Sequence, residues 1–310
     1  MNNNYTIEVK NLSITYKNLL PTSEDFEALK DVSFTLEPGK IYGLIGRNGA
    51  GKTSLLSALA SFRKASNGDI LVNDIPLFDN GELMQHVQFI YQKEFNSEDA
   101  ETYPKVPKYI KKETIYRPNF DQAYADELIQ KFELPTNKRP HKLSKGQQSV
   151  LSVIIGLASR APITIFDEAY LGMDAPTRDL FYKEILKDQE RYPRTIIMST
   201  HLVSEMEYLF DEVIIIHKGE LLKKGTYDEI ISAGATIIGS TDSVDIFAKG
   251  KEVLNTESLG GVKKITLFSH ITDKDRLLAQ DLDLTISAIT LQDLFIHMTE
   301  VIVTGGRSDE

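Results

Sequence analysis

Short runs of aliphatic and β-branched residues recur along the first 225 positions: Ile7–Val9, Val32–Leu36, Ile41–Ile45, Ile70–Val72, Val87–Tyr91, Ile163–Phe166, Thr195–Met198 and Val213–Ile216. Several are continuous rather than alternating and lead into helix-like stretches. Strands buried on both faces of a parallel sheet read this way, because crossover helices cover both faces. The pattern changes between about 95 and 160. There DQAYADELIQKFEL (121–134) and GQQSVLSVIIGLASR (146–160) repeat apolar residues at helical spacing, which predicts an all-helical insertion. After KKGTYDEIISAG the pieces become smaller and alternate in type through ATIIGS, SVDIFAKG, VKKITLF, KDRLLAQ and LQDLFIHM. These predict a small α+β appendage, and the final GGRSDE reads as a frayed tail. The expected division is a larger α/β unit over 1–232 with a helical subdomain at about 95–160, an α+β accessory domain over 233–300, and a tail over 301–310.

Composition narrows the classes. A chain of 310 residues with 41% hydrophobic and 26% charged positions can bury a substantial core. No run approaches the ~18 apolar residues of a spanning helix, and MNNNYTIEVK lacks a basic region followed by an apolar one. A cytosolic location is the expectation. The absence of cysteine excludes disulfides, thiolate catalysis and cysteine-ligated zinc. A formal net charge of −10 argues against nucleic acid as a partner, since phosphate backbones are held by clustered Lys and Arg. The basic run Lys105–Lys112 is expected to be a solvated helix face.

The strongest chemical signal is IYGLIGRNGAGKTSLLSAL, in which Gly46 is followed after four residues by Gly51-Lys52-Thr53, behind an expected strand and ahead of an expected helix. Such a loop lets backbone N–H groups converge on phosphates at the positive end of the helix. The expected contacts are Gly46, Asn48, Gly49, Ala50, Gly51, Lys52, Thr53 and Ser54. Lys52 is suited to neutralise the β- and γ-phosphate oxygens, and the Thr53 hydroxyl to ligate Mg²⁺. ITIFDEAY sets Asp167 and Glu168 at the end of an apolar strand, suited respectively to holding that ion through water and to polarising an attacking water. Two adjacent acids at a strand end are otherwise ordinary solvated loop residues. LSKGQQ (143–148) reads first as a capping box, Ser144 with Gln147, opening a helix. A cap does not require Gly146, which costs up to about 1 kcal/mol against alanine inside a helix. Some group is therefore expected to approach that backbone closely.

GRNGAGKTS, LSKGQQ, IFDEA, LGMD and STH, in this order and spacing, resemble the nucleotide-binding subunits of ATP-binding cassette (ABC) transporters over residues 5 to about 225. The resemblance implies a P-loop NTPase core of the ABC type, α/β in class, with a helical subdomain and a β-rich edge, and ATP and Mg²⁺ as cofactors. It implies that Ser144, Gly146 and Gln147 start a helix aimed at the γ-phosphate of ATP on a second subunit, a copy of this chain or a related one. It further implies that Tyr16 stacks on adenine, although a half-buried strand tyrosine would look the same. Gln92 is implied as the residue sensing Mg²⁺ and the attacking water, His201 as the switch histidine touching the γ-phosphate, and Asp174 as part of the loop crossing to the other subunit. Two positions depart from the family pattern: Lys145 stands where a glycine is usual, and Ala169-Tyr170 replaces Pro-Thr, a change expected to alter loop rigidity more than chemistry. A narrower likeness, carried by GLASRAPITIFDEAYLGMDAPTRDLFY and ITLQDLFIHMTE, is to bacterial exporter ATPases for antimicrobial and amphipathic peptides, such as the phenol-soluble modulin exporter. That implies separate membrane-spanning subunits, a place at the cytoplasmic face of the membrane, and docking through KEFNSEDAETYPKV, whose acids read equally well as a solvated loop.

Two other classes compete with this reading. A soluble cassette ATPase in DNA maintenance or iron–sulfur assembly is the alternative reading; a repair or maintenance head would show long heptad or zinc insertions between Gly51 and Ser144, and the sequence has neither. A phosphate-loop kinase or GTPase leaves LSKGQQ unexplained, and NKRP (137–140) lacks the aspartate that reads guanine.

Overall fold

The computed structural model describes residues 4–17, 25–93, 95 and 102–305, with side chains through residue 299. The described residues form two compact units: residues up to 201 together with 209–223, and residues 202–208 together with those from 224 onward.

The first unit opens with β1 (Ile7–Tyr16) and β2 (Phe26–Leu36), paired antiparallel with Ile7 opposite Leu36 and Tyr16 opposite Phe26. After β3 (Ile41–Ile45) and α1 (Lys52–Leu59), β4 (Asn67–Val72) joins the other edge of β1, and β5 (Ile75–Pro76) completes an antiparallel sheet in the order β2-β1-β4-β5. This is the β-rich edge. The short α2 (Gly81–Met84) leads to β6 (Val87–Ile90), and then come α3 (Val106–Glu113), α4 (Gln122–Lys131) and α5 (Lys145–Ala158). No strand is found among the described residues between β6 and α5, and the two segments with helical spacing became α4 and α5. In α3 the lysines at 108, 111 and 112 are exposed, whereas Val106, Tyr109 and Ile110 are buried, so the basic run is a solvated face.

The chain then returns through β7 (Ile163–Asp167), α6 (Ala175–Arg191), β8 (Thr195–Thr200), α7 (Val203–Met206), β9 (Glu212–His217) and β10 (Glu220–Thr226). The second sheet runs β10-β9-β3-β8-β7-β6, with the pairs β9–β3, β3–β8, β8–β7 and β7–β6 all parallel. Every residue of β3, β7, β8 and β9 is buried, as the continuous apolar runs require. One core joins both sheets and α1 through Ile7, Leu12, Leu29, Leu44, Leu55, Ile165 and Ile197.

In the second unit, α8 (Tyr227–Ile231) precedes β11 (Ala235–Ser240), α9 (Thr241–Ala248), β12 (Val253–Leu259), β13 (Val262–Leu267), α10 (Asp273–Asp281), β14 (Thr285–Ala288) and α11 (Leu291–Gly305). The βαββαβ order with a sheet β12-β13-β11-β14, antiparallel throughout, is the split-βαβ arrangement. Its own core is Ile237, Val244, Phe247, Ile265, Leu267 and Ala279. Helix α11 continues through Gly305, and residues 306–310 of the expected tail lie outside the described residues.

Candidate functional site

Parallel pairing decides where the motifs meet. Neighbouring strands that run the same way release their following loops at one edge of the sheet, the edge where ligands of open α/β sheets bind. Here β3 releases the loop beginning at Gly46, β7 ends on Asp167, β8 is followed by His201, and β6 by Gln92. A cavity of about 630 Å³ opens at this edge, lined by Arg47, Asn48, Gly49, Gly51, Lys52, Thr53 and Ser54 together with Gln92, Asp167 and Glu168, whereas Gly46 and Ala50 of the same loop stand off its wall. Three segments far apart in sequence therefore share one cavity, and the fourth, ending in His201, stands beside it.

The loop is held by its glycines. Gly51 has φ +105° and occupies the N-cap of α1; a Cβ on it would fall 2.5 Å from the Ala28 carbonyl oxygen, and one on Gly46 would fall 2.8 Å from that of Ile216. Only glycine fits where the loop passes between these backbones. Helix α1 has no side-chain cap, so its first N–H groups are free to serve an anion. Lys52 is 6% exposed, with its ammonium donating to the Gly46 carbonyl at 2.8 Å and lying 3.6 Å from Oε1 of Glu168.

The acids are held by β8. Ser199 Oγ donates to Oδ1 of Asp167 at 2.5 Å and accepts from the backbone N–H of Glu168 at 3.0 Å. Glu168 itself has φ +48°, a left-handed conformation that a glutamate adopts only at a cost of about 1–3 kcal/mol and that concentrates at functional sites. Both consecutive acids thereby reach the cavity. Thr53 and Asp167 offer the hydroxyl and carboxylate oxygens that Mg²⁺ takes when substrate phosphates and water supply its remaining ligands, so the donor set fits that ion.

His201 does not line the cavity but joins it through Glu168, whose Oε1 is 3.2 Å from His201 Nδ1. Tyr16 lies beside the cavity rather than on its wall. Its hydroxyl is 3.0 Å from the Ser54 hydroxyl, and the Arg63 guanidinium sits 3.8 Å over its ring. Phe26, Tyr16's cross-strand partner, does line the cavity and is 59% exposed. Sequence reading missed Phe26 because its placement depends on the β1–β2 register.

The LSKGQQ segment answers the question that Gly146 raised. Ser144 caps α5 by accepting from Gln147 N at 3.2 Å, while Gln147 Oε1 accepts from Ser144 N at 3.1 Å. A Cβ on Gly146 would stand 2.4 Å from the carbonyl oxygen of Gly172, and one turn later Ser149 Oγ donates to the Leu171 carbonyl at 2.6 Å. What approaches the glycine is thus the chain's own Leu171–Asp174 loop. Lys145, the first helical residue, is exposed and leaves the cap intact. Asp174 caps α6 through Thr177 N at 3.0 Å, and the Thr177 hydrogen bonds hold its carboxyl below the usual range. Ser144, Gly146, Gln147 and Asp174 are all absent from the cavity wall.

A loop of this kind, with a cation, a hydroxyl and two strand-end acids at one edge of a parallel sheet, defines a P-loop nucleoside triphosphatase. The family model described as ABC transporter matches residues 29–171. The ABC transporter ATP-binding protein YtrB of Bacillus subtilis is 29% identical over 218 residues, covering 70% of this chain and 73% of its own. NatA of the same organism, also an ABC transporter ATP-binding protein, is 29% identical over 207 residues, covering 66% and 84%. The dimeric ATP-binding cassette MJ0796 in its post-hydrolysis state shares the fold, with a TM-score of 0.61 at 22% identity over 71% of this chain and 98% of that one. Residues 29–171 thus match the ATP-binding domain of ABC transporters, a class of ATPases.

Proposed function

We propose that this protein is the ATP-hydrolysing subunit of a bacterial ABC transporter of the exporter type, energising separate membrane-spanning subunits and working with a second ATPase subunit. The observation that carries the reading is the single cavity that joins Lys52, Thr53, Asp167 and Glu168. The loop amides and Lys52 bind the β- and γ-phosphates of the substrate ATP, and Thr53 and Asp167 hold Mg²⁺, which when bound supplies charge neutralisation. Glu168 orients and deprotonates the water that attacks the γ-phosphate, Gln92 and His201 bracket that phosphate, and adenine rests on the aromatic pair of Tyr16 and Phe26. Because Ser144, Gly146 and Gln147 stand off the chain's own cavity, they are assigned to ATP held by the other subunit, with Asp174 crossing beside them.

ATP then favours closure of two subunits, and hydrolysis removes the bridge. The cassette is assigned to residues 1–232 and the accessory domain to 233–300, since every motif precedes residue 225 and the small unit has its own core. Among the described residues no helix is long and apolar enough to cross a membrane, which fits a subunit that works through membrane partners at the cytoplasmic face. The export of peptides or drugs rests on the likeness of the 156–182 segment and of the closing helix. The segment after Gln92 is assigned to the membrane partner; residues 94 and 96–101 of it lie outside the described residues.

The test is Glu168→Gln in the assembled complex. Turnover is expected to fall by roughly 10²-fold or more while ATP stays bound, so that closed dimers accumulate. Hydrolysis at the unmodified rate would remove Glu168 from the mechanism.

A further inference from the structure

Tyr170 stands where the family pattern has a small threonine, and sequence reasoning gave it a role in loop rigidity alone. The structure places it differently. The side chain is 2% exposed, and its hydroxyl lies among three polar atoms at the end of β8: Thr200 Oγ1 at 3.1 Å, the backbone N of His201 at 3.3 Å, and Nδ1 of His201 at 3.2 Å. Those distances fix a proton inventory. A phenol hydroxyl has one proton to give and two lone pairs to receive. The Thr200 hydroxyl and the His201 backbone N–H are its donors, which directs the phenol's own proton to His201 Nδ1. An imidazole nitrogen that accepts there leaves the ring's proton on Nε2 when the ring is neutral.

Oε1 of Glu168 is the competitor for the same nitrogen, also at 3.2 Å, and a carboxylate can hold Nδ1 only by accepting a proton from it. The two partners therefore demand opposite tautomers. With Tyr170 donating, Nε2–H is available to an incoming oxygen anion, and Glu168 keeps its oxygens for Lys52, 3.6 Å away, and for a water. With Glu168 accepting, the base is spent on the histidine.

We propose that Tyr170 is a positioning residue for hydrolysis: its hydroxyl sets the Nε2–H tautomer of His201 and keeps Glu168 uncommitted as the base. This rests on the roles of Glu168 and His201 given above. Tyr170 touches no substrate. It acts through the ring it holds, and it is supplied by the same loop that carries Glu168, so base and histidine are aligned by one turn of chain.

The experiment is Tyr170→Phe, which removes one oxygen from a buried ring. Loss of an orienting partner that leaves a wrong tautomer costs up to ~10⁴-fold in a hydrolase triad. Here Glu168 remains as a second partner, and the expected loss in kcat for the full-length chain is on the order of 10-fold, with KM for ATP within about twofold. On a His201→Ala background the same change is expected to have no further effect, whereas a hydroxyl that merely stabilises the loop would lower kcat additively. Nitrogen NMR of histidine-labelled protein reads the tautomer directly among only six histidines. Nε2–H is expected in the unmodified chain, with a shift toward Nδ1–H in Tyr170→Phe. Nδ1–H in the unmodified chain overturns the proposal without needing any variant to fold, and so does additivity with His201→Ala. A Tyr170→Phe enzyme at full rate beside an inactive Glu168→Gln enzyme removes this inference alone; a fully active Glu168→Gln enzyme removes the functional reading beneath it.

Discussion

Gly146→Ala isolates what the close approach of α5 to the Gly172 loop contributes. The added Cβ would stand 2.4 Å from the Gly172 carbonyl oxygen, against about 3.4 Å for ordinary contact, so roughly 1 Å must be found by moving one backbone or the other. The oxygen is main chain and cannot rotate away. Overpacking of this kind costs about 1–3 kcal/mol, while alanine returns up to about 1 kcal/mol of helix propensity. The net effect on stability is therefore a loss of about 0–3 kcal/mol, and the fold is expected to survive. Function has less tolerance. The displaced groups are the first turn of α5 or the Leu171–Asp174 loop, and a misplacement of about 1 Å costs on the order of 10²-fold where geometry is critical. Of the two displaced segments only Leu171 lines the cavity, and none of the phosphate-loop residues moves, so ATP affinity of the isolated chain is expected to change by less than about threefold. The assay pairs ATP titration and thermal unfolding of the variant with steady-state hydrolysis in the assembled complex. A stable Gly146→Ala protein that hydrolyses at the unmodified rate would refute the argument that this contact positions the helix for catalysis.

Lys52→Ala removes the buried ammonium that faces the cavity; ATP binding is expected to weaken and turnover to vanish with the fold intact, as checked by nucleotide titration and circular dichroism. Asp188→Ala tests the ion cluster formed by α6 and the segments that follow α5 and α6: Asp188 forms ion pairs with Arg194, 2.7 Å away, and with Arg160, while burial pushes the Arg194 guanidinium down to about 10. Removing the shared carboxylate leaves the buried Arg194 uncompensated beside Arg160, which keeps Asp121 at 3.3 Å, and a loss of about 3–5 kcal/mol is expected, read as a fall in Tm on the order of 10 °C. A loss below about 1 kcal/mol would show that the cluster contributes little to the fold.

Local pattern carried much of this protein. The apolar runs became β3, β6, β7, β8 and β9 nearly residue for residue, and the helical spacing became α4 and α5, because burial on both faces or along one stripe is written in consecutive residues. The phosphate loop was legible for the same reason: Gly46 through Thr53 form one turn between one strand and one helix. The strands β12 and β14 were not foreseen. Most of their positions are exposed or half-buried, so they lack the continuous apolar signal. The sequence raised the question of Gly146 without containing its answer, which lies in the carbonyl of Gly172, brought there by the packing of α5 against the loop after β7. Phe26 reached the cavity through the cross-strand register of β1 and β2, and Tyr170 reached His201 because β7 and β8 pair in parallel. The sequence alone determined which residues have the chemistry to bind and split a nucleotide. Which of them share a cavity, which stand apart from it, and which hold the others in place were decided by strand register and close packing, since contacts between distant segments exist only once the whole sheet has formed.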